Sequence, residues 1–281
     1  MEGQGGLNMY YTKEQTQNFK EQHFAFLKIS EADNVLYTTL HNPKKKNALS
    51  PQLLNELAYA YAYAQNNKEI HMVVLQSEGN VFCSGADLKA FAGQVEPHDS
   101  SIPKPAKEVV IGEIFTSLTK PSVAKVEGDV YAGGFLLLCG VRFVFALEGL
   151  KLGLPEVKRG LYPFQVMTAL MEVMPARKVL DWCVRGYNLP VQEAKNLGLV
   201  TEVIQQGEMD NAIANLIAEL KENSPTAMRM GIEAYEKIKK AASPEEHMQM
   251  KIALMQLMQT KDAREGLTAF KEKRKPNWVG E

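Results

Sequence analysis

The sequence is short of nearly every feature that would mark a specialised class. Its three cysteines, Cys83, Cys139 and Cys183, are odd in number and widely spaced among apolar neighbours such as Phe82, Leu138 and Trp182. No CxxC pair or ligand-spaced histidine accompanies them, so a disulfide scaffold is out, no metal is expected, and buried reduced thiols are. Net charge is almost nil, 32 Lys+Arg against 33 Asp+Glu, which argues against a broad basic face for nucleic acid. Long apolar runs are missing too. Uncharged stretches such as Val130–Val141 reach 12 residues, well short of the ~20 that a membrane-spanning helix needs. The N-terminal stretch has no apolar core and carries Glu2, Glu14 and Glu21, so neither a secretory signal nor an Arg-rich transit peptide is read there. The cytoplasm is the expected location. The phosphate-loop, dinucleotide, zinc-protease and nucleophile-elbow signatures are all lacking.

What remains is an ordinary globular composition, 45% apolar and 23% charged, in a chain long enough to bury roughly three quarters of its unfolded surface. The polar residues 1–22 read as an N-terminal arm, loose or packed on the surface as a short helix. Val35–Leu40, Met72–Leu75, Val81–Cys83, Ser122–Val126 and Phe143–Leu147 are β-branched or continuously apolar and read as strands. Ser50 followed by Pro51 starts a helix, a hydroxyl cap before a proline whose missing N–H costs nothing. Ala132-Gly133-Gly134 opens another, Phe135–Cys139. Residues 93–107, rich in Gly, Pro, Ser and His, read as a loop. After Pro163 the pattern is helical: Phe164–Met174, Ala176–Val184, Val191–Leu197, Met209–Lys221, Pro225–Lys240 and Pro244–Met258. The expected division is an α/β core over 23–200 and a helical C-terminal region over 201–281.

Two glycine turns each join a buried strand to a helix, Cys83-Ser84-Gly85-Ala86-Asp87-Leu88-Lys89 and Asp129-Val130-Tyr131-Ala132-Gly133-Gly134-Phe135. Such turns point unpaired peptide N–H groups outward at the positive end of a helix dipole. Two of them converging could hold a developing oxyanion, as acyl and thioester chemistry requires. The plainer reading is glycines for tight turns and Asp87 as a helix cap. Glu156 follows Pro155 in a mostly apolar setting, where a desolvated carboxyl would have a raised pKa and could pass protons near neutrality. A solvated loop glutamate is the plainer reading. Lys44–Lys46 and the C-terminal Lys271, Lys273, Arg274 and Lys275 read as solvated surface or as small clamps for a phosphorylated ligand.

Taken in order, Asn42-Pro43 with Asn47-Ala48-Leu49, the Phe82–Lys89 turn, Val126-Glu127-Gly128 with Gly133-Gly134, Pro155-Glu156 and Arg264–Arg274 resemble the crotonase (enoyl-CoA hydratase/isomerase) superfamily. The resemblance runs from about residue 27 to the end. It implies an α/β spiral of ββα units with a helical C-terminal trimerisation region, assembled as a trimer or a dimer of trimers. It implies an acyl-CoA substrate, with coenzyme A as the substrate's carrier and no metal or redox cofactor. By position, the N–H groups of Ala86 and Gly133 would hold the thioester enolate and Glu156 would transfer the proton. Ala86, Asp87, Leu88 and Lys89 would line the acyl and pantetheine channel. Lys44 and Lys45 would lie near the nucleotide, and Phe270 and Lys273 would cover the coenzyme A of a neighbouring subunit.

The sequence departs from the family pattern at one place. Family hydratases with two catalytic glutamates carry the first of them at the position of Leu136. Hydration of a 2-enoyl thioester, shared between two carboxylates in those enzymes, is the favoured expectation here. Isomerisation between 3-enoyl and 2-enoyl thioesters, which needs one base, is the alternative. Decarboxylation ranks third because Glu156 would repel a substrate carboxylate, and a non-catalytic acyl-CoA-binding scaffold is the reading from outside enzymology. Asp129, Tyr131 and Tyr162 are the nearby candidates to replace the missing acid.

Overall fold

The structure, a computed structural model, describes residues 10–94, 97–240, 252 and 254–277. Two sheets make its centre. The larger has six strands in the order β1 (Leu27–Ala32), β2 (Val35–Leu40), β3 (Met72–Ser77), β5 (Ser122–Val126), β7 (Phe143–Leu147) and β10 (Glu202–Ile204). The β1–β2 pair is antiparallel and every other neighbouring pair is parallel. The smaller sheet runs β4 (Val81–Cys83), β6 (Asp129–Tyr131), β8 (Lys151–Gly153) and β9 (Asn188–Pro190), the first three mutually parallel. Successive turns of the chain therefore give one strand to each sheet: β3 then β4, β5 then β6, β7 then β8. This is the spiral of ββα units that the motif order implied.

Alternation along β3 explains why its sequence reads as an unbroken apolar run. Val73 and Leu75 point between the two sheets, whereas Met72 and Val74 point to the other face, where Met209, Ile213 and Leu216 of α8 (Met209–Lys221) cover them. A parallel strand covered on both faces has no polar side to show. Ser50 Oγ accepts from Leu53 N–H at 3.2 Å and starts α1 (Pro51–Asn66), as its sequence predicts. The remaining helices are α2 (Leu88–Phe91), α3 (Ile111–Thr116), α4 (Phe135–Gly140), α5 (Phe164–Met171), α6 (Ala176–Arg185), α7 (Val191–Asn196), α9 (Pro225–Lys240) and a C-terminal helix, Lys261–Glu272. Most of the helix expected at Pro244–Met258 lies outside the described residues.

The segment after Pro163 is not purely helical, because β9 and β10 return to close one edge of each sheet. The arm is also more firmly held than its polar composition suggests. Tyr10, Tyr11 and Phe19 are buried, and Phe19 stacks on Tyr63 of α1 with ring centroids 3.8 Å apart. Tyr59 O–H donates to the Gln15 carbonyl at 2.8 Å, and Val110 N–H donates to the Tyr10 hydroxyl at 2.8 Å. An arm that buries three aromatic rings, each worth about 1.5–3 kcal/mol, is part of the core.

Candidate active site

The parallel strands β4, β6 and β8 end side by side, and the candidate residues lie just past those ends. The register pairs Cys83 with Val130 and Val130 with Leu152. Ala86 therefore sits three residues beyond the first ladder position, Gly133 three beyond the second, and Glu156 four beyond the third. The carboxyl ends of adjacent parallel strands are where open α/β sheets form their ligand crevices.

The first turn is fixed from outside. Leu49 N–H donates to the Gly85 carbonyl and Asp87 N–H donates to the Leu49 carbonyl, both at 2.8 Å. This bridge uses the peptide groups on either side of Ala86, and among the described residues the Ala86 N–H has no backbone acceptor. Asn47, fully buried, anchors the supporting loop: its Nδ2 donates to the Glu78 and Val81 carbonyls at 2.9 Å each, and its Oδ1 accepts from Asn42 N–H at 2.8 Å. Asp87 caps α2, accepting from Lys89 and Ala90 N–H, and pairs with Lys45 at 3.2 Å. Burial pushes the Asp87 carboxyl up, but the Ala90 N–H and the Lys45 ammonium outweigh it and hold the group below its usual value.

The second turn packs onto the first. Ala132 has φ of 52°, a left-handed conformation costly for a residue with a side chain. Gly85, at φ of 93°, leaves the room this needs, since a Cβ there would lie 2.7 Å from Ala132 Cβ and 2.9 Å from Gly133 N. A Cβ on Gly133 would in turn lie 3.4 Å from Ala86 N. The peptide groups of Ala86 and Gly133 are thus packed against each other at the ends of β4 and β6.

Glu156 begins a 3-10 turn, Glu156–Arg159, that Gly160 ends at φ of 72°. Its Oε2 is buried and has no hydrogen-bond partner among the described residues. Burial is the main reason its carboxyl is pushed up to about 7, with the residue's own backbone hydrogen bond and the positive charge of Arg159 pulling the other way. The buried Cys183 thiol of α6 lies within electrostatic range of it. Burial first, and the charge of Glu156 second, push that thiol up to about 12, so it stays protonated. Tyr162 lies beside Cys183, raised mainly by burial.

The other candidates for the missing acid are engaged elsewhere. Val130 points into the core, so Asp129 and Tyr131 share the opposite face of β6. Asp129 Oδ2 accepts from Tyr131 O–H at 2.9 Å and Oδ1 accepts from Lys151 N–H at 2.8 Å. Both oxygens of Asp129 are therefore bonded, one within β6 and one across to β8. Leu136 is buried in the apolar core with Leu137 and Leu138. Among the described residues that these strand ends bring together, Asp87 is committed to its helix cap and to Lys45, which leaves Glu156 as the carboxyl with an unbonded oxygen.

Lys44 is exposed on the turn Pro43–Lys45, and Lys45 stays beside the first N–H turn through Asp87. Leu88 is exposed at 41%. A groove of about 760 Å³ lies beyond α2, lined by Phe91, His98 and Ile102 with Leu54 of α1, so the 93–107 loop does border a cavity. Ala86, Gly133 and Glu156 are not among its walls. Phe270 sits on the C-terminal helix with the Arg159 guanidinium 4.3 Å from its ring centroid, close to the Glu156 turn of the same chain, and Lys273 caps that helix at φ of 57°. The sequence reading gave no role to Asn47, Arg159 or Cys183. Only Asn47 carried a signal there, as a polar residue inside a quoted motif.

Two sheets wound from ββα turns, with N–H turns at the ends of the smaller one, define a crotonase-type α/β protein. A sequence model described as enoyl-CoA hydratase/isomerase matches residues 30–281, and the chain belongs to that family. It is 30% identical over 256 residues to the enoyl-CoA hydratase EchA19 of Mycobacterium tuberculosis, covering 89% of this chain and 95% of that one. It is 29% identical to a carnitinyl-CoA dehydratase of Salmonella agona, covering 88% and 95%. The crystal structure of a carnitinyl-CoA hydratase from Mycobacterium avium superposes with a TM-score of 0.77 at 27% identity, over 92% of this chain and 99% of that one. No described helix is long and apolar enough to cross a membrane.

Proposed function

We propose that the protein adds water across the Cα–Cβ double bond of a 2-enoyl-CoA, or removes it in the reverse direction, with Glu156 as the single proton carrier. The observation that carries this reading is the buried Glu156 carboxyl, raised to about 7, on the strand end beside the paired N–H groups of Ala86 and Gly133. The Ala86 and Gly133 N–H groups take the thioester oxygen. Ionised Glu156 accepts a proton from water as the hydroxyl oxygen bonds to Cβ, and the displaced electron pair moves through Cα onto the thioester oxygen. The enolate then collapses and takes the same proton from Glu156 at Cα, which returns the carboxylate. A carboxyl with a pKa near the working pH suits both halves. The hydratase and dehydratase names of the relatives support the direction of this chemistry. In this reading coenzyme A belongs to the substrate, with Lys44 and Lys45 on its phosphates, Ala86, Asp87, Leu88 and Lys89 along its pantetheine arm, and Phe270 and Lys273 over the nucleotide of a neighbouring subunit in a trimer or dimer of trimers. No cofactor takes part.

A second reading, 3-enoyl to 2-enoyl isomerisation, is favoured by the same solitary carboxyl, which would remove a proton from C2 and return it at C4. Incubation with each enoyl-CoA, followed by absorbance of the conjugated thioester, separates the two. Loss of conjugation from 2-enoyl-CoA is expected. Its appearance from 3-enoyl-CoA instead makes the isomerase reading correct, and no change in either, with coenzyme A thioester still bound, would leave a binding scaffold. Glu156→Gln should lower turnover at least 10²-fold with little change in thioester affinity. Full activity in that variant removes Glu156 from the mechanism.

A further inference from the structure

The turn that carries Glu156 is held by the C-terminal helix at backbone distance. A Cβ on Gly266 would lie 2.2 Å from the Arg159 carbonyl oxygen and 2.7 Å from Gly160 N, and a Cβ on Gly160 would lie 2.4 Å from the Asp262 carbonyl oxygen. Ala263 and Ala269, on the same helix, are buried against the rest of the chain. Small residues at this seam let two main chains touch, and they bring Phe270, four residues past Gly266, alongside the turn.

Arg159 is three residues after Glu156 in that turn. A 3-10 helix has three residues per turn, so side chains at this spacing eclipse. The guanidinium therefore starts on the side from which the Glu156 carboxyl starts and has the reach to pair with it. It does not do so. Among the described residues Arg159 makes no ion pair, and its guanidinium lies over the Phe270 ring at 4.3 Å, a cation–π contact. The groups facing Glu156 are few. From its own turn there is Arg159, and from α6 the protonated Cys183 thiol. Lys158 is exposed and its chain leans on Gly186. From the C-terminal helix, Asp262 meets the turn through its main chain, and Glu265 is bonded to Arg274 at 2.6 and 2.9 Å. Among the described residues, Arg159 is the cation whose charge acts on Glu156.

We propose that Phe270 and Arg159 are positioning residues for Glu156: the ring on the C-terminal helix holds the guanidinium off the carboxyl, which stays unpaired and free to exchange a proton. The inference rests on the reading of Glu156 as proton carrier. It makes the docking of the C-terminal helix a condition for the carboxyl's chemistry, through a residue that touches no reacting atom.

The test is the pH dependence of kcat/KM for 2-enoyl-CoA hydration, whose acid limb reports ionisation of the free enzyme. In Phe270→Ala the guanidinium is released, and the limb should move to lower pH by on the order of one unit. Phe270→Trp keeps the ring and should keep the limb. Phe270→Ala/Arg159→Gln removes the cation and should return the limb to the wild-type position or above it. Loss of coenzyme A contacts would scale kcat/KM at every pH without moving the limb. A limb unmoved in Phe270→Ala, or shifted equally in the double variant, overturns the proposal. Infrared difference spectra of the carboxyl band, identified by its absence in Glu156→Gln, follow the same titration without turnover. An active Glu156→Gln enzyme would refute the proton-carrier role, while the infrared shift would still decide whether Phe270 holds Arg159 away.

Discussion

Glu156 should make the folded protein less stable as the pH rises, and its neutral replacement should remove that loss. Its carboxyl is raised from an ordinary 4.5 to about 7, so the folded state favours the protonated form. The penalty is absent below about pH 4.5, grows as the unfolded chain ionises, and is complete above about pH 7. At about 1.4 kcal/mol per pH unit the full difference is about 3 kcal/mol, trimmed toward about 2 by the water that reaches a half-buried side chain. Glu156→Gln should therefore gain about 2 kcal/mol relative to wild type between pH 4.5 and pH 8, or roughly 5 °C in melting temperature for a chain of this size. Only the pH-dependent part counts, because a buried amide carries a constant cost of its own. Urea unfolding of both proteins across that range measures it. A stability gap that stays flat with pH would refute the claim that burial governs this carboxyl, whatever the enzyme's activity does.

Three further outcomes follow from the packing. Gly133→Ala places a methyl 3.4 Å from Ala86 N, in the space proposed for the thioester oxygen, and should cut kcat about 10²–10³-fold with a melting temperature nearly unchanged; full activity in that variant would refute the proposal. Phe19→Ala should cost about 3–5 kcal/mol in denaturant unfolding, because the ring is buried and stacked on Tyr63, and a cost below 1 kcal/mol would mean the arm is only loosely held. Glu56→Ala strips the acceptor from the Ala25 and Phe26 N–H groups, bonded at 2.9 and 2.8 Å, and should destabilise by about 2–4 kcal/mol; Glu56→Gln, which keeps one acceptor oxygen, should recover part of it.

The long parallel strands were legible because burial on both faces writes continuous apolar runs, and α1 because Ser50-Pro51 carries its own cap. The strands β6, β8, β9 and β10 were not, since three residues hold no period and exist only through pairing with distant partners. α3 has no side-chain cap to announce it. The arm misled because its composition is polar while Tyr10, Tyr11 and Phe19 do the packing. At the site, the two glycine turns and Glu156 stood out as local patterns. The desolvation of Glu156 did not: α6 and the C-terminal helix, far along the chain, provide it. The contact between Arg159 and Phe270 joins residues over a hundred positions apart and leaves no trace in either segment.

The hydroxyl of Tyr10 is bonded to residues 100 and 103 positions further along the chain. The first described residue therefore has no place to dock until α3 has left the ribosome, some 5–20 s later at ordinary elongation rates of about 5–20 residues per second. Until then its ring stays in water, while Tyr11 and Phe19 can already pack on Tyr59 and Tyr63 of the completed α1. Closing so long a loop comes late in folding. The Tyr10 end of the arm should thus gain protection against hydrogen exchange later in refolding than the part packed on α1, and a nascent chain halted before residue 110 should leave that ring exposed.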